Sequence, residues 1–241
     1  MPKPNVQIFT APDPDPADAR RTPIVEAHAI GRRHPDGKNW LLEQVSLRLE
    51  PGERLAVCGP SGSGKTLLLR ALALLDPIDQ GQLLWLGRPV HRLRVPEFRS
   101  QVMYLHQRPA FFEDQVEAAL QAPLLLRVHR HRPFDRDRVV AWLAQLGRDA
   151  SFLTKAMRSL SGGELQILAL VRALSLEPTV LLLDEPTAAL DELTARAVEQ
   201  LLADWVAQRP SRSLVWVSHD AGVQQRAAQR SVRIEAGRIV D

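Results

Sequence analysis

From Ile24 the pattern of apolar and polar positions turns strand-like. Pro35-Asp36-Gly37 marks a turn, a second strand is expected over residues 41–49, and Pro51-Gly52 ends it. The unbroken apolar run Leu55, Ala56, Val57, Cys58 predicts a more deeply buried strand, and Leu67, Leu68, Leu69, Ala71 and Leu72 predict a helix opening at Lys65. Pro77 and Gly81 read as turns, followed by strands over 83–86 and 102–105. From about residue 111 to 160 the alternation disappears, and Val139, Val140, Trp142, Leu143 and Leu146 recur at helical spacing. Strand signals return at 180–183. A helix then carries Ala197, Val198, Leu201, Leu202 and Trp205, an apolar strand spans 214–217, and a turn falls at Ala236-Gly237. The pattern predicts an α/β core with a small antiparallel sheet beside it and a helical subdomain inserted over about 108–164. Residues 1–22, with Pro12-Asp13-Pro14-Asp15-Pro16, read as a flexible tail ahead of a single domain over 23–241, with no internal repeat.

Composition narrows the class. At 241 residues the chain can bury one sizeable core. A hydrophobic content of 45% and a charged content of 24% belong to a globular chain rather than a disordered one. No apolar run approaches the roughly 20 residues that span a bilayer. The tail has no apolar segment of the kind a secretory signal needs, and the turn at 236–237 leaves no length for a further regulatory domain. The single cysteine, Cys58, cannot close an internal disulfide, which suits a reducing cytoplasm, and in its apolar strand it reads as a small buried hydrophobe. A formal net charge of +3, with basic residues scattered along the chain, makes no argument for nucleic acid. The one local basic cluster, residues 127–132, reads as a solvated connection between helices, with contact to anionic lipid or to a partner's acidic loop, or a weak metal site at His129 and His131, as the alternatives.

The strand at 55–58 runs into Gly59-Pro60-Ser61-Gly62-Ser63-Gly64-Lys65-Thr66, which fits G-x-x-x-x-G-K-[ST] placed between a strand and a helix. Gly59, Gly62 and Gly64 let the backbone turn its N–H groups onto phosphate oxygens, and Lys65 adds a point charge. Thr66 offers a hydroxyl to Mg²⁺, and the start of the following helix faces the same anion. The apolar strand 180–183 ends on Asp184 and Glu185. Asp184 projects toward Mg²⁺ through a water, and Glu185 can orient or deprotonate the water that attacks a γ-phosphate. Leu160-Ser161-Gly162-Gly163-Glu164 is a second glycine-rich helix start. Residue types alone favour a plain N-cap there, with Glu164 completing a capping box, over a second anion site.

Residues 59–66, Gln107, residues 160–164, residues 180–185, Ala189-Leu190-Asp191 and His219, in this order and spacing, resemble the nucleotide-binding domain of ATP-binding cassette (ABC) proteins over about residues 24–241. The resemblance implies a P-loop NTPase core with a flanking antiparallel β-sheet and an inserted α-helical subdomain. It implies ATP and Mg²⁺ as cofactors and two copies pairing head to tail, each ATP lying between one copy's phosphate loop and the other copy's LSGG segment. Carried onto this chain, Gly59, Pro60, Ser61, Gly62, Ser63, Gly64, Lys65 and Thr66 would hold the phosphates. Thr66 and Gln107 would ligand Mg²⁺, with Asp184 acting on it through water, and Glu185 would be the catalytic carboxylate. His219 would contact the γ-phosphate, Asp191 would link the two sites, and Ser161, Gly162 and Gly163 would close on the partner's nucleotide. Three departures stand out: Leu67 replaces a hydroxyl that would bond the α-phosphate, Ile167 replaces a basic residue, and His34 is the best match for the aromatic that stacks on adenine, with Trp40 close by.

The implied function is the ATP-hydrolysing subunit of an ABC transporter, a homodimer on nucleotide binding, peripheral on the cytoplasmic face of the membrane and coupled to a separate polytopic membrane subunit near residues 111–116. No nucleic acid is expected. A soluble ABC ATPase acting on DNA or ribosomes would carry a coiled-coil insertion or tandem cassettes, which this chain lacks, and a switch without turnover would not need Glu185 and His219. For cargo, Arg108-Pro109-Ala110-Phe111-Phe112 resembles ATPases of metal (iron) export, while amino-acid, phosphate, lipoprotein and drug transporters use nearly the same cassette.

Overall fold

The computed structural model describes residues 22–218 and 221–240, so the expected tail and His219 lie outside the described residues. The first three strands are β1 (Val25–Arg33), β2 (Trp40–Leu49) and β3 (Arg54–Cys58), and α1 (Lys65–Leu72) follows. β4 (Gln80–Trp85) and the short β5 (Arg88–Pro89) complete an antiparallel sheet ordered β2-β1-β4-β5. Gly81, which reads as a turn in the sequence, lies inside β4 at φ +80°, beside a register shift between His28 and Gly31 of β1. A Cβ there would fall 2.4 Å from the carbonyl oxygens of His28 and Ala29, so the glycine lets two backbones approach at a bulge.

The second sheet has the order β10-β9-β3-β8-β7-β6, made of β6 (Val102–Leu105), β7 (Val180–Asp184), β8 (Ser213–Val217), β9 (Arg230–Glu235) and β10 (Arg238–Val240). All neighbours from β9 to β6 are parallel, and β10 returns antiparallel along β9. A parallel strand covered on both faces must be apolar throughout. β7 shows it: Val180 and Leu182 enter the core under α1 and the first sheet, while Leu181 and Leu183 enter the core on the opposite face. β8 divides likewise, Val215 and Val217 to one side and Leu214 and Trp216 to the other.

The remaining helices are α2 (Val95–Gln101), α3 (Val116–Gln121), α4 (Arg136–Gln145), α5 (Gly162–Ser175), α6 (Glu192–Ala207) and α7 (Ala221–Ala227). Val116, Ala119 and Leu120 of α3 and Val139, Trp142 and Leu143 of α4 bury in one cluster with Leu168 and Val171 of α5 and Leu181 of β7. The helical segment therefore shares a core with the parallel sheet. Ile167 is fully buried in that cluster, where a cationic side chain would lose its hydration. Arg132, part of the cluster that reads as solvated, is only 20% exposed and donates from Nη1 to the Leu176 carbonyl at 2.6 Å. His129 is buried and His131 exposed, and the described residues contain no group of three or more His, Cys, Asp or Glu that could hold a metal ion.

Two features of this topology place the site. The register pairs Leu105↔Leu183, Asp184↔Val217 and Val57↔Val217 bring the carboxyl ends of β6, β7, β8 and β3 level along one edge, where α/β sheets bind ligands. The turn of the terminal hairpin then props the loop after β3. Gly237 N donates to the Ser63 carbonyl at 2.9 Å, Glu43 N donates to the Gly237 carbonyl at 2.9 Å, and a Cβ at Gly237 would strike Leu41 O at 2.4 Å.

Candidate functional site

Glycine shapes the loop between β3 and α1. Gly59, Gly62 and Gly64 have φ of 141°, 76° and 108°, where a side chain is strained. At Gly59 a Cβ would also fall 2.1 Å from the Ile234 carbonyl of β9, so the loop can lie against the terminal hairpin only with glycine there. α1 starts at Gly64 without a side-chain cap and without an acidic residue in its first turn. Its leading N–H groups lack helical partners, and together with the helix dipole they favour an anion in front of them. Lys65, 6% exposed, folds its ammonium back to donate to Gly59 O at 2.9 Å and Pro60 O at 2.8 Å. Among the described residues the buried Ser63 hydroxyl has no hydrogen-bond partner, which fits a loop shaped around a ligand. Ser61, Gly62, Gly64, Lys65, Thr66 and Leu67 line one cleft together with Gln107 and Glu185.

The carboxylates arrive from the end of β7. Asp184 is 4% exposed, and its Oδ2 accepts from Thr66 Oγ1 at 2.8 Å and from the Tyr104 hydroxyl at 2.9 Å. Burial, with the charge of Asp184 adding to it, pushes the Tyr104 phenol far above its ordinary pKa, so it stays a donor. Tyr104 sits on β6, and reading that strand for its apolar run passes over the one hydroxyl in it. Glu185 has φ 50°, a conformation that costs a residue with a side chain on the order of 1 kcal/mol. Its backbone N donates to Val217 O at 3.0 Å, and its Oε2 accepts from Gln107 Nε2 at 2.7 Å. Thr66 is thus in contact with Asp184, and Gln107 with Glu185. Thr66, Gln107 and Asp184 present side-chain oxygens, the donor type that suits a hard cation such as Mg²⁺. Leu67 faces the same cleft with carbon where a hydroxyl was expected.

The other expected residues lie apart from this cleft, whose lining includes none of Ser161, Gly162, Gly163, Asp191 or His34. Ser161 caps α5: its Oγ accepts from Glu164 N at 3.2 Å and its N donates to Glu164 Oε2 at 2.9 Å, a complete capping box. The Lys155 ammonium at 2.7 Å, then the Ser161 amide, hold the Glu164 carboxyl below its usual range. Ser161 and Gly162 are exposed, while Gly163 packs so closely that a Cβ would lie 2.8 Å from Ala189 O. Asp191 caps α6, accepting from Thr194 N at 2.9 Å and Thr194 Oγ1 at 2.7 Å, and is exposed. His34 stands in the exposed β1–β2 turn, 3.1 Å from Asp36. Trp40 has the Arg33 guanidinium 4.1 Å from its ring centroid, and its edge occupies the space over Gly31, so its ring is engaged within the protein. One side chain that sequence reasoning missed joins these parts. Gln166 of α5, 5% exposed, donates from Nε2 to Gln107 O at 3.2 Å and Glu185 O at 3.3 Å, and its Oε1 accepts from Ala189 N at 3.1 Å. The signal was there to find: a lone amide among Leu165, Ile167 and Leu168 on an apolar helix.

Comparison with known proteins agrees with this geometry. The family described as ABC transporter matches residues 42–188. The chain is 35% identical over 199 residues to "Probable iron export ATP-binding protein FetA" of Escherichia coli K12, covering 83% of this chain and 86% of that one. It is 34% identical over 256 residues to "Probable anion import ATP-binding protein" of Haloferax volcanii, covering 96% of this chain and 84% of that one. Its fold superposes with a TM-score of 0.81, at 24% identity and over 90% of this chain and 97% of the other, on the ATP-binding cassette MJ0796 solved as a dimer bound to ADP and Pi. A strand-borne phosphate loop, carboxylates at the end of β7 and these matches lead to one conclusion: the chain belongs to the ABC transporter family and is an ATP-binding, ATP-hydrolysing subunit of it.

Proposed function

We propose that two copies of this chain pair head to tail on Mg-ATP and drive a separate membrane subunit from the cytoplasmic face of the membrane. The observation that carries the pairing is the lining of the cleft: the phosphate loop, Gln107 and Glu185 converge there, while Ser161 and Gly162 stand exposed outside it. Ser161, Gly162 and Gly163 then close on the nucleotide of the other copy, with Asp191 between the two sites. The loop amides and Lys65 hold the phosphates. Thr66 and Gln107, with Asp184 through water, would hold Mg²⁺, which when bound neutralises charge on the β- and γ-phosphates. Glu185, bonded to Gln107 and fixed in a left-handed turn, orients the attacking water and takes its proton, and His219 contacts the γ-phosphate. His34 is the adenine contact, since the ring of Trp40 is engaged.

A membrane partner is needed for transport because no helix among the described residues is long and apolar enough to cross a membrane. The segment over 108–164 is its docking subdomain, and the exposure of Phe112 (96%) and Leu125 (86%) supports this. For cargo we favour metal ions, supported by the stretch at 108–112 and by the similarity to the protein named for iron export. The test of the pairing is sedimentation of Glu185→Gln with Mg-ATP. A dimer that forms with nucleotide, and fails to form when Ser161→Arg is added, supports the reading; a nucleotide-bound monomer contradicts it.

A further inference from the structure

The helix that begins at Ser161 and the loop that follows Glu185 are in intimate contact, and the contact is made twice on one residue. Gly163 lies so close to the carbonyl of Ala189 that any Cβ would intrude at 2.8 Å. Three residues further along the same face of α5, Gln166 Oε1 accepts the N–H of Ala189 at 3.1 Å. Both polar groups of Ala189 thus face α5. The other end of the Gln166 amide donates to the carbonyls of Gln107 and Glu185, at 3.2 and 3.3 Å. Those two residues are themselves joined by the 2.7 Å bond from Gln107 Nε2 to Glu185 Oε2. One buried side chain therefore ties two loops together at three points: the loop carrying Gln107, and the β7–α6 loop at Glu185 and again at Ala189 on the way to Asp191.

From this geometry we infer that Gln166 is a positioning residue, which ties the placement of Gln107 and Glu185 to the docking of α5 on the loop at Ala189. The inference rests on the proposed pairing only for its consequence, that closure of Ser161 on a partner's nucleotide is felt at this chain's own Glu185. Glu185 sits at φ 50°, which an unsupported chain would relax, so a bond to its carbonyl bears directly on where its carboxylate points. Gln166 touches neither Lys65 nor Thr66 in the hydrogen-bond network, so phosphate binding stands apart from it.

The test uses the full chain with Gln166→Met, which keeps length and volume and removes all three hydrogen bonds. The expected result is a kcat lower by about 10- to 100-fold, the scale of a misplaced reacting group, with KM for ATP within about twofold. Gln166→Glu adds a readout that packing alone would not move. Its carboxylate opposes two carbonyls when ionised but can donate to one when protonated, so its activity relative to the unaltered protein should rise as pH falls. Wild-type kcat in Gln166→Met overturns the inference. So does a kcat loss matched by an equal rise in KM together with a lowered Tm, or a Gln166→Glu deficit that is constant with pH. A Glu185→Gln control that hydrolyses ATP normally would instead overturn the proposed role of Glu185, which separates the two failures.

Discussion

Two helices in this molecule begin after glycine-rich segments, and they begin differently. α1 starts at Gly64, whose φ of 108° gives the chain its turn but supplies no side-chain cap, and its first turn holds no acid. α5 starts at Ser161 with a closed capping box, and Glu164, kept ionised by Lys155, sits in its first turn. Open N–H groups and an uncompensated dipole make α1 an anion site within the single chain. At α5 two of those groups, the amides of Ser161 and Glu164, are satisfied within the chain, and a carboxylate already occupies the favourable end of the dipole. On the proposed pairing, a lone chain holds one half of a nucleotide site at α1 and presents the other half, at α5, to a second copy.

Mutations on the two sides should therefore fail in different ways. The largest effect is expected from Glu185→Gln, with turnover reduced by about 10²- to 10⁴-fold and ATP affinity retained, measured by single-turnover hydrolysis beside equilibrium binding. Ser161→Arg should reduce hydrolysis by about 10²-fold while leaving ATP binding to the single chain within about twofold, because the change lies at a misplaced partner surface and not in the cleft. Lys65→Ala should show the opposite pattern, an ATP affinity weakened by about 10- to 100-fold through loss of a charge-assisted contact, read by calorimetry. Asp191→Ala removes a cap with two hydrogen bonds and should cost about 1 kcal/mol in denaturant unfolding, with no change in ATP affinity.

A smaller effect is expected from His129. Burial depresses its folded-state pKa below the reference 6.5, so the native state keeps it neutral while the unfolded chain takes up the proton first. Its contribution to stability is complete above pH 6.5 and is lost as pH falls from there toward the folded value. Unfolding midpoints measured from pH 7.5 downward should decline, and His129→Leu should flatten that decline.

Much of this was legible in the chain. The hairpin β1–β2 announced itself by alternation, β7 and β8 by unbroken apolar runs, and the phosphate loop by spacing that leaves little choice of conformation. Of the terminal hairpin only the turn at Ala236-Gly237 was read: β9 does alternate through Ser231-Val232-Arg233-Ile234-Glu235, but with just two apolar positions the period is too short to stand out. Yet β9 supplies the Ile234 carbonyl that makes glycine obligatory at position 59. Gln166 and Tyr104 escaped for a related reason. Each is a polar group inside an apolar element, and its partners lie 19 to 80 residues away in sequence, where no local pattern can point to them.

The central claim, that each working site is made of two chains, is tested most directly by mixing two inactive proteins. Lys65→Ala lacks a phosphate loop but keeps its LSGG segment, and Ser161→Arg lacks the segment but keeps its loop. If the sites are shared, an equal mixture should recover up to about a quarter of the unaltered rate, since half of randomly formed dimers are mixed and each of those holds one intact site. A mixture no more active than its components would contradict the account.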